Sequence, residues 1–124
     1  MTASSLPAAL RACAAGIYTH EAGVSLLIAN RTFLGRDDFT NRFITRDTAT
    51  GMAAIDWAAA IIALDAGEIP CSGGEQRTLR LAASIAGGIP VSLNDTITGL
   101  DRRNLSHLLA AIRHASGERP HGIH

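Results

Sequence analysis

Cys71 is the one nucleophile in this chain with a physical reason to be reactive. It stands directly before Ser72-Gly73-Gly74-Glu75, a capping box in which the serine oxygen accepts from the amide three residues on and the glutamate reaches back to the serine amide. A helix therefore begins here, and its dipole and free amides favour thiolate over thiol. A general base would have to be His20, His107 or His114, all distant in sequence, so catalysis at Cys71 depends on the fold delivering one. The plainer reading is a small packing residue beside a cap. Ser72 itself is no nucleophile elbow, since no strand precedes it and glycine does not flank it on both sides.

Four arginines form the second constellation. Arg102 and Arg103 follow the cap Asp101 and set two cations at the positive end of a helix dipole, where each is unfavourable by a few tenths of a kcal/mol. An anion there, whether phosphate, carboxylate or DNA backbone, would offset that; screening by Asp101 and solvent is the simpler account. Arg77 and Arg80 lie on the outer face of the preceding long helix. Ala83, Gly87 and Leu93 have the spacing of a helix-turn-helix whose leucine packs back on the first helix. The reading helix would be 91–98, where Ser92, Asn94, Thr96 and Thr98 could reach base edges. It carries no arginine, so phosphate contacts would fall to Arg77, Arg80, Arg102 and Arg103. Three imidazoles, His114, His121 and His124, crowd the C-terminus. Pro120 and Gly122 prevent a regular helix from aligning them, so residues 118–124 read as a flexible tail and not a metal site. No motif calls for a cofactor.

Composition limits the classes further. The chain has 124 residues, 47% of them apolar, enough for one domain with its own core. Eleven basic and eleven acidic side chains cancel, whereas nucleic-acid binders usually carry a basic excess. Every basic residue is arginine, in keeping with coding bias. Two cysteines make no disulfide scaffold, the first residues lack a cationic secretory start, and no apolar run approaches a membrane span. These features imply a cytoplasmic protein.

The elements that position these residues read as all-α, a compact single-domain bundle of six or seven helices over residues 1–117. Leu6, Ala9, Leu10, Cys13, Ala14 and Ile17 mark the first, with Pro7 in its first turn. The second opens at Thr19 or His20, buries Val24, Leu27 and Ile28, and stops at Asn30. Asp37 or Asp38 caps a short third with Phe39 and Phe43 one turn apart, and 45–51 is a polar, mobile loop. Residues 52–66 are apolar almost all round and should form the central helix, with Asp56 capping a start at Trp57 in preference to being buried within it. The fifth spans 73–86, with Leu79, Ala82, Ala83 and Ala86 inward. The sixth restarts near Val91 and stops at Gly99. The last, closed by Gly117, turns Leu105, Leu108, Leu109, Ile112 and Ala115 to the core and Arg103, His107, Ala110 and His114 to solvent. No stretch alternates with period two for long enough to demand a sheet.

Asp56-Trp57, the run from Leu64 to Glu75, Leu81 to Val91 and Gly99-Leu100-Asp101-Arg102-Arg103-Asn104 resemble a group of small all-helical actinobacterial proteins to which no activity is assigned. The resemblance covers roughly 20–117 and implies a cytoplasmic helical domain. It brings no functional residue with it. The expected function is a non-enzymatic module that binds another protein or itself, possible as a homodimer, through the face of Arg103, His107, Ala110 and His114 or that of Arg77 and Arg80. A helix-turn-helix DNA regulator and a cysteine-dependent enzyme are the alternatives.

Overall fold

The computed structural model describes residues 5–118. Local chemistry places most helix ends. Helix α1 (Leu6–Ala14) starts where the Ser5 hydroxyl accepts from the Ala8 amide at 3.2 Å, with Pro7 in its first turn. Helix α2 (Tyr18–Asn30) has no side-chain cap and ends on Arg31, whose φ of 71° is the left-handed stop expected one residue earlier at Asn30. Helix α3 (Asp37–Phe43) begins after Arg36, so Asp37 and Asp38 occupy its first turn instead of capping it. Helix α4 (Trp57–Asp65) is capped by Asp56, which accepts from the Ala59 amide at 3.0 Å. Helix α5 (Gly73–Gly87) opens with both bonds of the Ser72–Glu75 capping box and ends on Gly88 at φ 69°. Ser92 caps α6 (Leu93–Ile97), and Asp101 caps α7 (Arg102–Ala115) by accepting from the Asn104 amide at 2.8 Å.

The fold is all-α, with seven helices and one small sheet among the described residues. That sheet corrects the expectation of a strandless chain. Strands β1 (Ile44–Arg46) and β2 (Ala53–Ile55) pair antiparallel, Ile44 opposite Ile55 and Arg46 opposite Ala53. In the segment expected as a mobile loop, Thr45 and Arg46 are therefore strand and 47–51 form the hairpin tip. Asp47 accepts from the Ala49 amide through its carboxylate and from the Gly51 amide through its carbonyl, closing the turn. Three-residue strands are too short to show an alternation, and Asp56 alone stands between the apolar Met52–Ile55 and the apolar helix after it, so periodicity alone could not separate them.

The central helix is also different from the expected one. Helix α2, not α4, is the hub: it packs extensively against both α5 and α7, and touches α1 as well. Gly23 lets α2 and α5 approach closely, because a Cβ there would lie 2.4 Å from the Ala86 Cβ and 2.8 Å from the Ala82 carbonyl oxygen. The main core gathers Leu27, Phe33, Phe39, Phe43, Leu64 and Leu79, with the three phenylalanine rings in sequence at centroid distances of 5.1 Å. Ala9, Leu10, Ala14, Val24 and Ala53 form a second cluster that fastens α1 and the hairpin to α2. Cys13 and Ile17, expected inward, are exposed. No helix among the described residues is long and apolar enough to cross a membrane.

Candidate functional site

The amphipathic helix α7 does not present the face its pattern suggests. Leu108 and Ala111 are buried, while Leu105, Leu109 and Ile112 are 41%, 52% and 48% exposed. At 3.6 residues per turn these three share one stripe, about a quarter turn from the line through Leu108 and Ala111 that meets the core. The physical cause lies in the seam with α2. Asn30 donates to the Asn104 side chain at 3.3 Å, the His114 Nε2 lies 2.6 Å from Glu21 Oε1, and small residues such as Ala22 and Ala111 fill the space between. These polar pins and small side chains hold α7 with Leu108 inward and Leu105, Leu109 and Ile112 turned outward. The Tyr18 ring meets His114 edge-on at 5.7 Å. Hydrogen bonds from His114 and then from the Gly16 amide hold the Glu21 carboxyl below its ordinary range.

The expected partner face is thus divided. Arg103 and Ala110 are exposed, His107 is half-buried with its Nε2 shielded and unpartnered, and His114 is fastened to Glu21. His107, Ala110 and His114 line a cleft of about 350 Å³ with Arg11, Ser25 and Ala29, and Arg11 donates to the Ser25 hydroxyl there at 3.2 Å.

The four arginines separate into two environments. Arg80 pairs with Asp65 at 2.7 Å and so belongs to the α4–α5 contact. The Arg77 guanidinium lies beside Gly73 and Gly99, 3.4 Å from where a Cβ would stand at either. Gly99 leads directly into α7, so Arg77, Arg102 and Arg103 gather toward the N-terminal end of that helix. None of these three makes an ion pair among the described residues. Helix α6 has only five residues, and Leu93, expected to pack back on α5, is 58% exposed while Thr96 is buried in its place. The helix expected over 91–98 is accordingly shortened to 93–97.

Cys71 is half-buried, and burial, then the nearby Glu75 carboxylate, pushes its thiol up. This reverses the expected activation. The dipole that would favour a thiolate is already occupied by Glu75, which accepts from the Ser72 amide at 2.8 Å and from the Thr32 hydroxyl at 3.2 Å. Arg36 completes this clamp, pairing with Asp38 and donating to the Pro70 carbonyl. The Pro70 carbonyl lies 34 positions from Arg36, so this part of the clamp has no signal in the local sequence. A second cleft of about 280 Å³ holds the exposed Cys13 and His20 against Leu10, Val24, Ile55 and Trp57. Its mostly apolar walls suit packing better than bond polarisation. No group of three metal-ligating side chains occurs among the described residues, and His121 and His124 lie outside them.

Comparison with protein-family models, curated proteins and solved structures gave no match. These comparisons assign no residue a role, and the chemistry rests on the side chains themselves.

Proposed function

We propose that the protein is a small, non-enzymatic helical module that associates with another protein, or with a second copy of itself, through the outer face of α7. The observation that carries this reading is the stripe of Leu105, Leu109 and Ile112, three large apolar side chains in line on one helix and each about half exposed. A lone exposed leucine is ordinary, but a contiguous row marks a contact surface. Leu93 and Ile97 on α6, which precedes α7 in the chain and packs on α5, are exposed as well. A reducing, cytoplasmic setting belongs to this proposal and is supported by the two free cysteines.

Light scattering over a concentration series tests self-association. A dimer that Leu109→Asp abolishes supports the reading. A strict monomer restricts it to a foreign partner, and a monomer that also fails to bind the helical peptides described below overturns it. DNA regulation is the second reading, favoured only by the grouping of Arg77, Arg102 and Arg103. It requires binding to duplex DNA that weakens steeply as salt rises and is lost with Arg102→Glu.

A further inference from the structure

We infer that the partner of the α7 face is an acidic amphipathic helix, which lays its own apolar stripe along Leu105, Leu109 and Ile112 and sets its carboxylates against Arg102 and Arg113. This rests on the association proposed above and names the chemistry of the partner. Arg102 stands one turn before Leu105 and Arg113 one turn after Leu109, so both guanidinium groups flank the same side of the stripe. Arg102 has no ion pair among the described residues, and Arg113 reaches only Glu118, at 3.9 Å with both side chains more than half exposed. The arrangement is therefore an apolar row with a cationic border, and its complement is an apolar row with an anionic one.

The dipole of α7 supports the same partner. Arg102 and Arg103 occupy the positive end of the helix, where like charge is unfavourable, and Arg77 adds a third cation nearby. Carboxylates brought in by a partner would relieve that repulsion on binding. A second copy of this chain fits less well. An antiparallel pairing of two α7 stripes brings the arginine borders of both copies together, and a parallel one sets no carboxylate of α7 against either border, because α7 carries no acidic residue.

The test uses the full chain and two labelled helical peptides of about 16 residues, long enough to hold a helix. Both carry leucines at the spacing of one helical face. One has glutamate at the flanking positions and the other lysine. Fluorescence anisotropy should show the glutamate peptide binding at least roughly tenfold more tightly than the lysine peptide, with the gap narrowing as salt rises. The double variant Arg102→Glu with Arg113→Glu should reverse that preference, a result that misfolding cannot produce, and Leu109→Asp should abolish binding of both. Equal binding of the two peptides, or of neither, overturns the inference. Should Leu109→Asp abolish a dimer in light scattering while the glutamate peptide fails to compete with it, the association reading stands and the acidic partner falls.

Discussion

Gly23 shows how a single missing Cβ decides the sign of a substitution. In an open helix Gly→Ala gains about 1 kcal/mol of helix propensity. Here the added methyl would meet the Ala86 Cβ at 2.4 Å and the Ala82 carbonyl at 2.8 Å, both on a helix that cannot retreat without opening the core. Overpacking of this kind costs about 1–3 kcal/mol, so Gly23→Ala should be net destabilising, with a lower denaturation midpoint at unchanged slope. Gly74→Ala is the control: a Cβ there meets nothing within 4 Å, and its midpoint should hold or rise. Cysteine chemistry is decided by the same kind of local accounting. Cys13 is exposed, whereas Cys71 is half-buried with its thiol pushed up. Timed alkylation at neutral pH, read by mass spectrometry, should therefore label Cys13 well before Cys71, and the reverse order would revive a role for Cys71 as a nucleophile.

Among the elements, α5 carries the most complete local instructions. Ser72 and Glu75 make both bonds of the capping box, and Glu75 also fastens the helix to Thr32 in the α2–α3 connection. Ser72→Ala removes one cap bond and should cost about 1 kcal/mol in chemical denaturation. Glu75→Gln should cost more than a surface change of its kind, because it weakens the cap and the cross-link together. The helix boundaries of α4, α5 and α7 were legible in sequence because a cap is a contact between residues three apart. The hairpin was not, since its pairing joins residues up to eleven positions apart and its second strand is parted from the apolar run of α4 by Asp56 alone. The orientation of α7 was misread for a related reason. Its strongest apolar stripe lies at Leu105, Leu109 and Ile112, but the side that docks is chosen by Asn30 and Glu21 on α2, which no pattern within α7 reveals.

For the molecule as a whole, pH stability follows from three carboxyls. Glu21, Asp38 and Glu75 are each held below their ordinary values of 4.5, 3.8 and 4.5, by His114, Arg36 and the Ser72 amide respectively as the leading causes. A depressed folded pKa means that the unfolded chain binds more protons through the acid range, so stability rises with pH there. The contribution is complete above the ordinary values and is lost as pH falls through the lowered ones. Denaturation midpoints should therefore be level on this account from about pH 6 upward and decline below about pH 4.5, and Glu75→Gln should make that decline shallower. An acid limb unchanged by the substitution would show that Glu75 does not contribute.

The order of residues along the chain was enough to determine a helical protein, the places where most helices begin and end, and the lack of any signature for a known chemistry. These follow from contacts within one turn, where spacing fixes geometry. Which helix sits at the centre, which side of α7 meets solvent, which arginines stay unpaired and whether Cys71 is activated were decided only by the tertiary structure. Each of those depends on side chains brought together from distant positions, such as Gly23 with Ala86, His114 with Glu21 and Arg80 with Asp65. Burial and neutralisation are properties of such meetings, and a residue's own neighbours in the sequence do not specify them.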